Sequence, residues 1–143
     1  MALQLIEQGK LEEADLCYQK TMEINRLIHY YDGIAVTYFN MANLEAIKGN
    51  IIEAVKFASA AVKMKEKVKT GQAPYLNLLQ QLVQVAIKEG MVLERKGELT
   101  KALSYYKASL PHAEGEYQQA LHHEIALIER VIENGQGKNS SNP

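Results

Sequence analysis

The sequence predicts an all-α fold built from antiparallel helix pairs, and three observations support this prediction. Leu, Ala, Glu, Lys, Gln and Met dominate the 143 residues, and these residues lose little side-chain freedom in a helix. Long alternations of Val, Ile and Thr are missing from the sequence, which argues against strands. A short segment containing Gly recurs three times, as expected where a chain reverses between helices.

The recurring segment consists of a Gly, a polar residue, an aliphatic residue, two further residues and an Ala. Its three copies occupy residues 9–14, 49–54 and 97–102. Gly readily adopts the left-handed conformation that ends a helix, and Ala is small enough to lie where two helices cross closely. An aromatic residue follows each Ala within about one helical turn: Tyr18, Phe57 and Tyr105-Tyr106. We therefore expect chain reversals at Gly9, Gly49 and Gly97.

Residues with helical spacing also precede the second and third reversals. They are Ile34, Tyr38, Met41, Ala42, Glu45 and Ala46 before Gly49, and Leu82, Val85, Ala86, Glu89, Gly90 and Leu93 before Gly97. We expect Asp32 to be the N-cap of the first of these helices, and Pro74 suits the first turn of the second. Only residues 1–8 precede Gly9, which predicts either a short first helix or a chain that begins within a longer array.

The segment after Pro111 predicts one further helix. Apolar residues recur at helical spacing over residues 112–135, namely Tyr117, Leu121, Ile125, Ile128 and Ile132. Ile128 stands where a small residue would admit a partner helix, so we expect a single capping helix that ends at Gly135. The composition of residues 136–143 predicts a disordered tail.

These residues resemble the tetratricopeptide repeat (TPR), in a long-helix variant of about 40 residues per repeat. The middle copy matches through Tyr38, Met41, Ala42, Gly49, Ile51, Ala54, Phe57 and Ala61, and the third through Ala86, Gly90, Leu93, Gly97, Leu99, Ala102, Tyr106 and Ser109. The spacing between turn glycines is 40 and then 48 residues, whereas the standard repeat has about 34. The resemblance covers about residues 1–110. It implies one domain, 1–135, whose helix pairs stack into a right-handed superhelix.

In the TPR family the first helix of each pair lines a concave wall, so the resemblance implies that a partner protein binds there. The residues expected on this wall are Val36, Phe39, Asn43, Ile47, Gln80, Gln84, Ile87, Met91, Arg95 and His122. Apolar side chains among amides and a guanidinium suit a peptide or helix of another protein. We therefore expect an interaction scaffold or adaptor.

Two alternative functions fit the same pattern. One is a regulatory domain that senses a small peptide, as in bacterial quorum-peptide receptors, which resemble this chain in repeat length. The other is a structural module that self-associates through its truncated first helix pair. Relatives that bind a C-terminal carboxylate pair an Asn in the Asn43 slot with basic residues. Here the matching slots hold Leu3, Ile87 and Met91, which argues against that ligand.

Composition narrows the remaining function classes. A formal net charge of −1 provides no long-range field to attract nucleic acid or anionic lipid. No apolar run in the sequence approaches the roughly 18 residues that a membrane span needs. The N-terminus lacks a basic region followed by an apolar block, so we expect a cytoplasmic protein that binds neither nucleic acid nor membrane.

The sequence offers no arrangement typical of catalysis or metal binding. His123-Glu124 begins like a zinc-protease helix, but the second His would have to stand where Leu127 does. Cys17 lies on an apolar helix face without a His or Asp partner at suitable spacing, so we expect a small core residue. Tyr18, Tyr38 and Tyr106 are expected in the core. The sequence thus predicts a protein that is not an enzyme and needs no metal or cofactor.

Overall fold

The computed structural model describes residues 2–68 and 73–141, and within these ranges the chain is helical and contains no strand. The helices are α1 Ala2–Glu7, α2 Leu11–Leu27, α3 Tyr31–Lys48, α4 Ile51–Val68, α5 Ala73–Arg95, α6 Leu99–Ser109 and α7 Gly115–Ser141. A single 3-10 turn, Leu110–His112, separates α6 from α7. The prediction of an all-α chain is confirmed. None of the described helices is both long enough and apolar enough to span a bilayer.

The chain divides into two compact units. Unit 1 comprises Met1–Leu82 and unit 2 comprises Val83–Pro143, so α5 contributes residues to both. Unit 1 therefore contains α1 to α4 and the start of α5. Unit 2 contains the rest of α5 together with α6 and α7.

The three predicted chain reversals are confirmed. Gly9, Gly49 and Gly97 have φ angles of 77°, 85° and 80°. At Gly49 the backbone N–H donates to Ala46 at 3.0 Å, and the next N–H donates to Glu45 at 2.9 Å. This pair of hydrogen bonds satisfies carbonyls that the end of a helix would otherwise leave free.

A fourth turn, between α2 and α3, has the same hydrogen bonds without a glycine. The N–H of His29 donates to Arg26 at 3.2 Å, and the N–H of Tyr30 donates to Asn25 at 2.8 Å. His29 has a φ of 56°, a left-handed conformation that costs an ordinary residue about 1–2 kcal/mol. A search for turn glycines does not detect this reversal, because the left-handed position is filled by His.

The prediction that Asp32 caps α3 is wrong. Tyr30 is the N-cap residue, and Asp32 lies inside the first turn of the helix. The Asp32 carboxylate instead accepts a hydrogen bond from Lys65 Nζ on α4 at 2.8 Å. This ion pair links the start of α3 to the end of α4. Pro74 is the second residue of α5, as predicted.

The core of unit 1 depends on small residues at helix contacts. Ala14 and Ala54 are fully buried, which confirms the expected role of the Ala in the recurring segment, and Ala42 of α3 is fully buried too. Tyr18 and Leu44 complete a buried cluster with Ala14, and residues from α1, α2 and α3 surround it: Ala2, Leu5, Ile6, Leu11 and Met41. Close packing of α2 against α3 follows from these small side chains.

Two residues expected in the core of unit 1 are less buried than predicted. Cys17 is half-buried, because its side chain lies in the wall of an open cavity instead of in the packed core. Tyr38 is also half-buried, and its hydroxyl oxygen accepts a hydrogen bond from Arg26 Nη2 at 2.6 Å. Both lie at the edge of the α2–α3 contact, where helical spacing alone does not distinguish the edge from the centre.

The core of unit 2 joins α6 and α7. Its buried members are Ala102, Tyr106, Ala113, Leu121, Ile125 and Ile128. Gly90 on α5 approaches this core so closely that an added Cβ atom would lie 2.7 Å from the Tyr106 ring. Tyr106 and the buried residues of the predicted capping helix therefore occupy the core, as expected.

The bounds of that capping helix differ from the prediction. It begins at Gly115 instead of residue 112, because Leu110–His112 forms the 3-10 turn after α6. It continues through Gly135 to Ser141, so the helix end lies within the segment that was expected to be disordered. Gly135 lacks a positive φ, so it does not end the helix as Gly9 does. Tyr117, expected on the apolar face, is 72% exposed.

Candidate functional site

Three helices of unit 2 enclose an open cavity of about 300 Å³. Its walls are formed by Ile87, Met91, Glu94 and Arg95 of α5, Tyr106 of α6, and Tyr117, Ala120, Leu121 and Glu124 of α7. Most of these side chains present carbon atoms, and the charged groups belong to only three of them. An apolar concavity with a few polar groups is the usual form of a binding site for a side chain or small molecule.

The α5 wall follows directly from helical periodicity. Met91, Glu94 and Arg95 follow Ile87 by four, seven and eight residues, so all four share one face of the helix. Ile87 and Glu94 are half-buried, whereas Met91 is 44% exposed and Arg95 is exposed. The wall therefore grades from an apolar interior to a charged rim. An exposed thioether adapts easily to the shape of a bound group.

The floor of the cavity is built on Tyr106, which is 3% exposed. The absence of a side chain at Gly90 lets the Tyr106 ring lie against the backbone of α5. The Tyr106 hydroxyl donates a hydrogen bond to Glu94 Oε1 at 3.1 Å. Burial is the main cause that raises the pKa of Tyr106, and the bond to Glu94 and the charge of Glu124 raise it further. The phenol is therefore a neutral donor that positions the Glu94 carboxylate.

The α7 wall has the same periodicity as the α5 wall. Ala120, Leu121 and Glu124 follow Tyr117 by three, four and seven residues, which places all four on one face of α7. Leu121 is buried and contributes to the floor, while Ala120 is too small to fill the space above it. The exposed Tyr117 ring stands at the rim. The cavity thus exists because the small Ala120 lies between the larger Tyr117 and Leu121 on this face of α7.

Five of the ten residues predicted on the concave wall belong to unit 2, and three of them come together in this cavity. Ile87, Met91 and Arg95 lie in its α5 wall. Gln84 and His122 are exposed and lie outside the wall. His122 follows Leu121 directly, so the turn of the helix directs it away from the cavity.

The other five predicted residues belong to unit 1. Val36, Ile47 and Gln80 are exposed, while Phe39 and Asn43 are half-buried. The Phe39 ring meets Tyr75 of α5 edge-on, with ring centroids 5.0 Å apart and planes at 80°. Edge-to-face packing of this kind stabilises aromatic pairs beyond their burial. Phe39 is thus already engaged within unit 1, whereas Val36 and Ile47 remain largely accessible.

Unit 1 contains a second open cavity, between α2 and α3, of about 580 Å³. It is lined by Ala2, Cys17, Tyr18, Lys20, Thr21, Asn25, Tyr30, Gly33, Val36, Thr37 and Asn40. Asn25 Nδ2 donates to Thr37 Oγ1 at 3.2 Å, and Thr37 Oγ1 donates to the Gly33 carbonyl at 2.7 Å. The wall of this cavity therefore includes a hydrogen-bonded pair of polar side chains, Asn25 and Thr37, among largely apolar surroundings.

No protein-family model, curated protein or solved structure matches this chain. The arrangement of the cavities therefore stands on the physical chemistry of the chain itself. Within the described residues, no group of three or more His, Cys, Asp or Glu side chains could hold a metal ion.

The predicted wall lacks six members of the unit 2 cavity: Glu94, Tyr106, Tyr117, Ala120, Leu121 and Glu124. Helical spacing could have identified two of them. Glu94 lies one turn after the predicted wall residue Met91, and Glu124 follows Leu121 by three residues. The sequence predicts α7 only as a cover for the third repeat, whereas in the structure α7 also forms one wall of the cavity.

Proposed function

We propose that this chain is a TPR-like helical-repeat module that binds another protein, and that the unit 2 cavity receives one side chain of a bound peptide or helix. The three glycine reversals, which are 40 and 48 residues apart, and the buried Ala after each of them support the repeat assignment. The observation that supports binding best is the open, largely apolar cavity among α5, α6 and α7. A pocket of this kind can accept an anchoring side chain of a partner.

The chemistry of the cavity favours binding over catalysis. Its titratable groups are Glu94, Glu124 and the two tyrosines, together with Arg95. The pKa of Tyr106 is raised by burial and by its carboxylate neighbours, so the phenol is a poor general base near neutral pH. Its hydroxyl hydrogen is also engaged with Glu94. We therefore propose a non-enzymatic function that needs no cofactor.

A pair of neighbouring substitutions on α5 tests this proposal. Met91 and Val92 are adjacent and similarly exposed, at 44% and 40%, but only Met91 lies in the cavity wall. Peptides would be selected from a displayed random library against the unaltered chain. We expect Met91→Gln to weaken binding of the selected peptides about fivefold, since it replaces an apolar part of the wall with a hydrated amide and adds no charge. Val92→Gln should leave binding nearly unchanged.

The outcome is interpretable because both variants keep a helix-forming residue at an exposed site. Circular dichroism should give equal helicity for both. If the selected peptides bind Met91→Gln as tightly as the unaltered chain, the cavity is not the binding site. Ile47→Glu, at an exposed position of the predicted wall, provides a parallel test of the predicted surface of unit 1.

Self-association is a second candidate, supported by an apolar surface on α2. Leu16, Ile24, Leu27 and Ile28 are each more than half exposed, which is unusual for so many large aliphatic residues on one short segment. Light scattering over a concentration series would detect an oligomer. If the chain stays monomeric at all concentrations, this candidate is eliminated. Dissociation of an oligomer by Ile24→Glu combined with Leu27→Glu would establish it.

A further inference from the structure

We propose that the side chain which enters the unit 2 cavity is a lysine or arginine of the partner protein. This inference rests on the proposed function and specifies the chemistry of the anchor. The aliphatic stem would lie against the apolar walls, and the cationic group would lie at Glu94 and Glu124. Two features of the cavity support it: its apolar length and the charges at its edge.

The apolar length of the cavity suits an aliphatic stem. Ile87, Met91 and Leu121 present methyl and methylene groups from α5 and α7, and Ala120 leaves the space between them open. Lysine and arginine bury their methylene chains along such surfaces while the charged end remains at a polar edge. An uncharged anchor such as leucine would use the same walls but would leave the carboxylates without a partner.

The carboxylates at the edge supply the complementary charge. Glu94 uses Oε1 to accept the Tyr106 hydroxyl hydrogen, and an ionised carboxylate has further lone pairs available for another donor. Both Glu94 and Glu124 act on the same phenol, because both raise the pKa of Tyr106. Within the part of the chain that the structure describes, neither of them forms an ion pair. Two half-buried carboxylates therefore lie near the Tyr106 hydroxyl, and neither forms an ion pair with a described residue.

Arg95 is the feature that could oppose a cationic guest. It belongs to the same wall, so two carboxylates and one guanidinium give the wall a formal charge of −1. Arg95 is exposed, however, and solvent screens its repulsion more strongly than it screens the half-buried glutamates. The net field therefore favours a cation. The rival interpretation is that Arg95 receives a carboxylate, and the experiment below separates the two.

The test compares three small probes that share a butyl chain on the intact chain of the protein. They are n-butylammonium, which is the lysine side chain, uncharged 1-butanol and anionic pentanoate. Binding would be followed by the NMR shifts of the methyl groups of Ile87, Met91 and Leu121. We expect n-butylammonium to bind about fivefold more tightly than 1-butanol, and pentanoate to bind most weakly. Added salt should reduce the difference.

A matched pair of glutamate variants identifies the source of the preference. Glu124→Gln should remove most of the advantage of n-butylammonium and leave 1-butanol binding unchanged. Glu129→Gln, also on α7, should preserve the advantage, because Glu129 is paired with Lys107 at 3.3 Å and lies outside the cavity. Arg95→Ala should increase binding of n-butylammonium. Lysine capped as its acetyl methylamide should bind as well as n-butylammonium, since the anchor belongs to a polypeptide.

The outcomes separate this inference from the proposed function. Equal binding of n-butylammonium and 1-butanol at the same methyl groups would overturn the cationic anchor while leaving the cavity as an apolar binding site. Tighter binding of pentanoate would assign the site to Arg95 and a carboxylate. Exclusion of capped lysine would overturn a polypeptide anchor. If none of the probes shifts these methyl groups in the folded chain, both proposals fail.

Discussion

Units 1 and 2 both use a glycine inside a helix to admit a side chain unusually close to the backbone, but they fill the contact differently. Gly33 on α3 faces Asn25 and Tyr30, whereas Gly90 on α5 faces the ring of Tyr106. An added Cβ atom would lie 2.6 Å from Tyr30 in unit 1 and 2.7 Å from Tyr106 in unit 2. The same close approach therefore admits an amide and an exposed ring in one unit and a buried ring in the other.

The two contacts also differ in where their polar groups lead. In unit 1, Asn25 donates to Thr37, and Thr37 donates to the Gly33 carbonyl of the same helix. The hydrogen bonds therefore begin and end on residues of the close contact itself. In unit 2, the only polar group of the buried ring reaches Glu94 at the edge of the cavity. Unit 1 thus uses directional bonds to fix one helix against another. Unit 2 uses a ring to do so and leaves a carboxylate available for a ligand.

Gly90→Ala should have the largest effect of the substitutions considered. The new methyl group meets three ring atoms of Tyr106, at 2.7, 2.9 and 3.2 Å, and this ring is too buried to swing aside. Overpacking at such a site costs about 3 kcal/mol, while the better helix propensity of Ala offsets about 1 kcal/mol. We expect the free energy of unfolding to fall by about 2 kcal/mol in urea denaturation, with faster amide exchange in unit 2.

Gly33→Ala is the matched control in unit 1. Its nearest neighbour, Tyr30, is 54% exposed and can rotate into solvent, so we expect a loss of only about 1 kcal/mol. Equal losses for the two alanine variants would contradict the distinction between a fixed ring and a movable one.

Thr37→Val tests whether the hydrogen bonds of unit 1 stabilise its contact. The substitution preserves shape but removes the hydroxyl that accepts from Asn25, a residue that is only 8% exposed. A buried donor left without a partner costs about 1–3 kcal/mol, so we expect a loss of about 1.5 kcal/mol. Thr21→Val is the control, because the Thr21 hydroxyl donates to the Cys17 carbonyl at an exposed position. A loss below about 0.5 kcal/mol for Thr37→Val would show that the amide finds water instead.

Much of the helical framework was predictable because its determinants are local. Gly9, Gly49 and Gly97 end helices through their own backbone freedom, and Ala14 and Ala54 are buried by the crossing that follows. The resemblance to the tetratricopeptide repeat implied that Ile87 and Met91 are wall residues, and both line the unit 2 cavity. These features need only the identity of neighbours within one or two turns.

The features that were missed depend on contacts between distant segments or on atypical residues. The pairing of Asp32 with Lys65 joins two helices, so the N-cap prediction failed where a tertiary contact takes priority over local capping preference. The turn at His29 has glycine geometry without a glycine. The cavity itself arises where α7 covers α5 and α6, and no periodicity within one helix reveals the space left by Ala120.

Tyr106→Phe separates the ring of the unit 2 contact from its polar end. At neutral pH we expect a loss of about 1 kcal/mol, since Glu94 is half-buried and water can replace the hydroxyl. A second effect should appear at high pH. The pKa of Tyr106 in the folded chain is raised above its ordinary value of 10.0, so above that pH the unfolded tyrosine loses its proton while the folded one retains it. Stability should then fall by up to about 1.4 kcal/mol per pH unit.

The alkaline part of this prediction has a clear control. Urea denaturation between pH 9 and pH 11 should show a shallower decline in Tyr106→Phe than in the unaltered chain. Tyr117→Phe, which alters an exposed hydroxyl on the same cavity, should keep the full decline. Because Tyr18, Lys48 and Lys65 also have raised pKa values, some decline should remain in Tyr106→Phe. Parallel curves for the unaltered chain and Tyr106→Phe would contradict the assignment.

The smallest expected effect concerns the turns that join the two helices of each contact. Unit 1 places His29 in a left-handed conformation just before Gly33, whereas the corresponding position of the α5–α6 turn in unit 2 is Gly97. His29→Gly removes about 1 kcal/mol of backbone strain, and the greater freedom of glycine in the unfolded chain offsets about half of it. We expect a gain of about 0.5 kcal/mol in urea denaturation, and a loss of about 1 kcal/mol for Gly97→Ala.

If His29→Gly is destabilising, the imidazole must contribute a contact that outweighs the strain. Its ring lies 6.4 Å from Tyr31, the exposed aromatic that begins α3, so His29→Gly combined with Tyr31→Ala would locate that contact.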